Sequence, residues 1–309
     1  MNFIPSFKTS KSNRVKYLFI YSLLIIGLNS NLLLSQTPND DVDYFQVGFS
    51  SNVFRGVYLK DATAAAKVLA EFFLKKYHRE NWEVKSPEIF SNNDELRKII
   101  QEQEFEVLVM HPSEFIQVKD LGLLEPIAVS WRNGAPYDSY HLMVNKNNNY
   151  KSVKDLKNKS VLICSLEGSK AELWLDHILN QNKLSNKEKY FKQIQSVDKP
   201  LSTILPVFFN KTDACIVDES LYNTVIELNP QIANDLISIE VSQPLAIGLV
   251  AIRKTISDQS VKANIKEAFL DLHNYDESRQ YLTIFRIGKV VVFKEEYLNS
   301  TYEIMDLKK

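Results

Sequence analysis

The chain has 309 residues, enough for two domains with separate cores. Hydrophobic residues make up 45% and charged residues 24%, which are globular values and exclude a disordered or fibrous chain. The formal net charge of −1, with no basic run beyond the N-terminus, excludes a nucleic-acid partner held by a general basic field.

Lys8, Lys11, Arg14 and Lys16 precede an apolar run, Tyr17–Leu28, and no acidic residue occurs before Asp40. As a helix that run reaches about 18 Å, short of the roughly 30 Å hydrocarbon core of a bilayer. Residues 1–35 therefore read as a secretory signal peptide with cleavage near Ser35–Gln36. An uncleaved anchor is the competing reading, because Leu32–Leu34 extend the apolar zone. The four basic residues removed leave 33 of the 37 Lys+Arg against 38 Asp+Glu, a mildly acidic exported chain.

From here the pattern is α/β. Tyr44–Phe49 reads as a strand and Ser50–Lys60 as a loop carrying Phe54, Arg55 and Tyr58. Asp61 is expected to cap a helix whose Ala65, Val68, Leu69, Phe72, Phe73 and Tyr77 recur at helical spacing. Asn81–Lys85 is a short strand, and Asn92 or Asn93 caps a helix holding Leu96, Ile99 and Ile100. Val107–Met110 is a buried strand ending at His111; Pro112 then opens a helix, since proline suits the first helical position. Leu124–Trp131 is a strand, Arg132–Asp138 a Gly/Pro turn, and His141–Asn145 a strand leaving the first half.

Ser152–Trp174 restarts the pattern: a turn, an apolar run Ser160–Cys164, a Gly-Ser loop, and an amphipathic helix from Ser169. Tyr190–Val197 is a strand, Pro200–Phe208 a helix, and Ala214–Val217 a strand ending in Asp218-Glu219 before another helix. Leu236–Val241 is a strand and Ala246–Arg253 a β-run returning to the first half. A helix with Val261, Ile265, Phe269 and Leu272 begins an α-rich tail. Two α/β runs imply two lobes, each a mostly parallel sheet flanked by helices, with a cleft between them. Residues 36–143 with 248–309 form lobe 1 and residues 144–247 form lobe 2.

In open α/β sheets a ligand sits beyond the C-terminal strand ends. That rule nominates His111, Ser113, Glu114, Asp218, Glu219, the 165–170 loop and Ser196–Lys199. Val107–Phe115 and Ala214–Tyr222 echo one another here, each an apolar strand that ends in polar groups and enters a helix. Gly168, Ser169 and Lys170 open a helix, where orphan amides and the dipole favour an anion; a plain N-cap is the competing reading. His111 is either an oxyanion donor or a structural histidine. Glu114 and Glu219 read first as solvent-facing dipole partners. Tyr58, Trp131, Tyr137 and Tyr140 lie where they could stack on a ligand, with core or hinge packing the preferred role for Trp131. The five histidines show no ligating spacing, and no nucleophile motif or phosphate loop is present. Cys164 and Cys215 lie in apolar runs outside any C-x-x-C pair and read as two buried thiols, a disulfide being the alternative.

Ser152-Val-Lys-Asp-Leu-Lys-Asn-Lys-Ser-Val161, the run Thr212–Asp218, and Leu96 through Glu106–Pro112 together resemble the phosphonate-type periplasmic substrate-binding proteins of ABC transporters. The likeness spans nearly all of Tyr44–Met305 and implies the two-lobed type II periplasmic binding protein fold. It implies a periplasmic, monomeric, non-enzymatic protein that takes up a small anionic or zwitterionic solute. The solute would be phosphonate- or phosphate-like and would pass to an ABC permease or a periplasmic sensor domain. No cofactor, metal, nucleic acid or membrane insertion of the mature domain is expected. The family's hydroxyl pair before Gly falls on Gly168, Ser169 and Lys170, of which Ser169 keeps the hydroxyl. Lys170 would either meet an anion or lie in solvent. The family's Gly before Pro is His111, its second-lobe cleft histidine falls near Asp198, and its amine-holding acid is Asp218. These departures leave open a degenerate binding protein acting as a sensor or interaction partner. An enzyme on the same fold ranks last.

Overall fold

Apolar segments buried on both faces form the strands that position the site. The structure is a computed structural model describing residues 43–54, 58–164 and 170–307. The chain begins with β1 (Tyr44–Phe45), β2 (Val47–Ser50) and helix α1 (Leu59–Lys76). This helix buries Ala62, Ala65, Ala66, Leu69, Ala70 and Phe73, so its small side chains let it lie close to the sheet. It starts two residues before the expected cap: Tyr58 is the N-cap, and Asp61 lies in the first turn, where it complements the dipole.

Next come β3 (Glu83–Val84), β4 (Glu88–Phe90), α2 (Asn93–Glu102), β5 (Val107–Met110), α3 (Pro112–Val118) and β6 (Leu124–Trp131). Asn92 caps α2 by accepting from the Glu95 amide. The crossing to the second half is β7 (Tyr137–Asp138), followed by β8 (Tyr140–Asn145). That half then runs β9 (Ser160–Cys164), α4 (Lys170–Gln181), α5 (Lys187–Tyr190), β10 (Gln193–Val197) and α6 (Pro200–Phe208). It continues through β11 (Ala214–Asp218), α7 (Glu219–Leu228), α8 (Gln231–Asp235) and β12 (Leu236–Val241). The return is β13 (Leu245–Ala246) and β14 (Leu249–Arg253), then α9 (Gln259–Leu270), α10 (Arg279–Ile284), β15 (Lys289–Val292) and α11 (Asn299–Ile304).

Two mixed sheets result. One has the order β15-β6-β14-β5-β2-β4, the other β10-β9-β11-β8-β12. Most strands in each run the same way; β14 and β15 oppose the rest of the first sheet, and β8 opposes the second. The β-run expected over Ala246–Arg253 is broken at Ile247–Gly248. Its first part, β13, pairs with β7 as a small ribbon, and its second, β14, joins the first sheet. The tail expected to be helical supplies β15, an edge strand on β6.

Both faces of each sheet are covered, as in α/β proteins. Val107 and Val109 pack under α1 and α9, while Leu108 and Met110 pack toward α2 and α3. In the second sheet Ala214 and Ile216 face α4, and Cys215 and Val217 face α6 and α7. Cys164 shares that second face with Cys215; both thiols are buried and unbridged. Helix α11 belongs to both halves, with Tyr302 in a core of the first sheet and Ile304 in a core of the second. Among the described residues no helix is long and apolar enough to cross a membrane; the run Tyr17–Leu28 lies outside them.

Candidate functional site

The tip of β5 is His111, extended and 4% exposed, which caps α3 with Pro112 at its first position. Its amide donates to Glu114 Oε2 at 2.7 Å. Glu114 Oε1 accepts from Ser50 Oγ at 2.6 Å and from Asn52 Nδ2 at 2.9 Å. The solvent-facing role expected for Glu114 is therefore wrong: the carboxylate is buried and satisfied by three donors. Ser113 is buried beside it in the first turn of α3.

The tip of β11 is Asp218, fully buried, the N-cap of α7. Its Oδ1 accepts from the Leu221 amide at 2.7 Å and lies 3.3 Å from Ser220 Oγ. Ser220 Oγ–H donates to Asp138 Oδ2 at 2.6 Å, which links this tip to the crossing strand β7. Glu219 is exposed, as expected. His141, on β8 beside these acids, has its Nδ1 2.8 Å from Ser238 Oγ. Burial pulls its pKa below the usual histidine value, outweighing the Glu219, Asp138 and Asp218 charges that push it up.

Lys170 begins α4 and is 4% exposed, so the solvent alternative for this side chain is overturned. Its ammonium donates to the Ile247 carbonyl at 3.2 Å, in the break between β13 and β14. Ile247 and Gly248 line a recess with His111, Ser130 and Arg132. Lys170 of the second half and His111 of the first thus meet at the same return segment. The recess holds about 30 Å³, room for a single water. Gly168 and Ser169 lie outside the described residues. Asp198 is exposed at the end of β10, at the same end of the sheet as Cys164, which pairs with Val197. Tyr58 is 81% exposed and lines an open depression with Asp61, Arg279 and Arg286, apart from the residues that line the His111 recess.

Four residues at the junction escape the sequence reading: Ser130, Arg132, Asp138 and Gly248. A Cβ on Gly248 would come 3.0 Å from Ser130 Oγ; glycine lets β6 and β14 approach there, with the Ser130 amide on the Gly248 carbonyl at 3.0 Å. Arg132 follows Trp131 at the end of β6 as His111 follows Met110 at the end of β5, so the strand-end rule reaches it. Treating 132–138 as a mere turn hides that. Arg132, Asn133 and Asp138 also line a larger polar recess of about 200 Å³ with Glu219, Ser220 and Asn223 of α7. The junction therefore offers buried cations, buried carboxylates and hydroxyls to a small charged molecule. Among the described residues no cluster of His, Cys, Asp and Glu is arranged to hold a metal.

The fold has solved counterparts. XAC2383 from Xanthomonas citri bound to ATP superposes with a TM-score of 0.64 at 10% identity, covering 85% of this chain and 96% of that one. A binding protein component of an ABC phosphonate transporter from Pseudomonas aeruginosa gives 0.60 at 14% identity, covering 85% and 86%. PhnD1 from Prochlorococcus marinus in complex with methylphosphonate gives 0.59 at 17% identity, covering 85% and 97%. These likenesses establish the two-lobed type II periplasmic binding protein fold. Curated protein sequences give no match. The family described as "ABC transporter, phosphonate, periplasmic substrate-binding protein" matches residues 86–298. The chain belongs to that family, whose members bind solutes for ABC transporters.

Proposed function

We propose that this chain is exported to the periplasm and captures a small anionic or zwitterionic solute, phosphonate- or phosphate-like, between its lobes for an ABC permease. The observation that carries it is the buried ammonium of Lys170 at the start of α4, resting on the Ile247 carbonyl of the return segment. A desolvated cation at a helix N-terminus favours an oxyanion through both its charge and the helix dipole. Gly168 and Ser169 would add amides and a hydroxyl, His111 and Ser113 would face them from the first lobe, and Asp218 would take an ammonium group. Asp198 would contribute at the rim, whereas Tyr58, in its separate depression, would stand outside the site.

Residues 1–35 would be removed as a signal peptide, and the mature protein would act as a monomer. The lobes, near 36–143 with 248–309 and 144–247, would close by rotation about the short ribbon of β7 and β13. Ligand that binds only the folded protein raises its melting temperature by mass action. A panel of phosphonates, phosphate, sulfonates and amino compounds is expected to give such a rise for at least one oxyanion. No rise with well-folded protein would overturn the proposal. A second reading, a sensor or interaction partner without its own solute, draws on Asp218, whose carboxylate is engaged by the Leu221 amide and flanked by Ser220. It predicts that flat panel together with a copurifying receptor domain.

A further inference from the structure

Arg132 is a buried guanidinium, 8% exposed, at the point where β6 leaves the first sheet. Its backbone is clamped: its amide donates to the Ala135 carbonyl at 2.8 Å, and the Ala135 amide donates back at 2.9 Å. Asn133 and Gly134 between them adopt positive φ values of 49° and 87°, the Asn-Gly pair that suits a type I′ turn. The side chain is clamped too, because Nε donates to the Arg286 carbonyl at 2.6 Å. Nη1 has no hydrogen-bond partner among the described residues. Nη1 forms a long, mostly buried ion pair with Asp138 Oδ2 at 4.0 Å, beyond hydrogen-bond reach, and Asp138 Oδ1 and Oδ2 accept from the Ser139 amide and the Ser220 hydroxyl.

A desolvated guanidinium with an unused donor is costly unless something accepts from it. Arg132 lines both the recess of His111, Ser130 and Gly248 and the larger polar recess shared with α7. The larger one has the volume for a small solute, and its walls come from the segment that follows β6, from β7 and from α7 of the second half. Resting on the solute-binding reading above, we infer that Arg132 is the residue of the first lobe that holds the solute's anionic group. Nη1 donates charge-assisted hydrogen bonds to an oxyanion, with Asp138 set beside it as a competing charge. The ligand class is a small oxyanion, phosphonate, phosphate or sulfonate, in preference to a neutral isostere. A purely structural brace between β6 and Arg286 is the competing role, and it makes a different prediction.

The test is calorimetric titration of the wild type, Arg132→Gln, Arg132→Lys and Asp138→Asn with methylphosphonate, inorganic phosphate and methanesulfonate. Losing one charge-assisted contact should weaken the best oxyanion about 30-fold in Arg132→Gln, with partial retention in Arg132→Lys. Removing the competing carboxylate in Asp138→Asn should tighten it about threefold. A brace alone would lower the melting temperature of Arg132→Gln and leave Kd within about twofold of the wild type, which would overturn the assignment while the solute-binding reading stands. If none of the three anions binds the folded wild type, both fall. Should Arg132→Gln fail to fold, Asp138→Asn decides: unchanged or weaker oxyanion binding overturns the role of Arg132.

Discussion

At the end of β5 the acid sits three residues into α3: Glu114 turns back on the His111 amide and sideways onto Ser50 and Asn52, all within the first half. At the end of β11 the acid is the cap itself: Asp218 holds the Leu221 amide, and its neighbour Ser220 reaches across to Asp138 on the crossing. Two stretches that echo each other in sequence thus direct their carboxylates differently. The first closes a network that holds one lobe together. The second ties a strand tip to the segment about which the proposed closure turns. Substitutions at the first should act on stability; those at the second should also change the response to ligand.

The largest effect is expected for Glu114→Ala, which strands three donors at the tips of β2 and β5. Unfolding in urea should show a loss of about 3–5 kcal/mol, with unchanged oxyanion affinity in whatever protein remains folded. A loss below about 1 kcal/mol would mean the network contributes little to stability. Asp218→Ala removes an N-cap and should cost about 2 kcal/mol, whereas Asp218→Asn keeps most of the cap, because asparagine serves equally well there. If the two variants lose the same stability, capping is not what Asp218 contributes. Ser220→Ala should cost only about 1 kcal/mol, but it unlinks Asp218 from Asp138. Its oxyanion affinity should change while that of Glu114→Gln stays at the wild-type value. Equal affinities in calorimetry would erase the distinction between the two tips.

The smallest effect concerns pH. Burial holds His141 below its ordinary pKa of 6.5, so the unfolded chain takes up the proton more readily than the folded one. The stability linked to neutral His141 is therefore complete above that value. It is lost as pH falls through 6.5 toward the lower folded pKa. His141→Gln should flatten the melting-temperature profile between about pH 7 and pH 5. An identical slope in the variant would show that other groups control that window.

Much of the layout was legible because apolar runs such as Val107–Met110, Ser160–Cys164 and Ala214–Val217 are buried on both faces and stand out from polar loops. The strand-end rule pointed to His111 and Asp218 for the same reason. What escaped depends on distant partners. β15 is an edge strand whose pairing with β6 joins segments far apart in the chain, so its valines sit unremarked behind a helical stretch. Lys170 is buried because its ammonium finds a carbonyl 77 residues away, and no local pattern announces that. Glu114 looked like an ordinary first-turn acid; Ser50 and Asn52, more than 60 positions earlier, make it a core group. Arg132 is buried by Arg286 and the return of β14, neither visible from its own turn.

The central claim is that buried cations where the halves meet hold a small oxyanion, and Lys170 is its most direct test. Calorimetric titration of the wild type and Lys170→Met with methylphosphonate and phosphate should give a saturable single-site heat for at least one anion. The variant should bind that anion at least about tenfold more weakly. Equal affinity in the two proteins, or no heat from any oxyanion with folded wild type, would contradict the account.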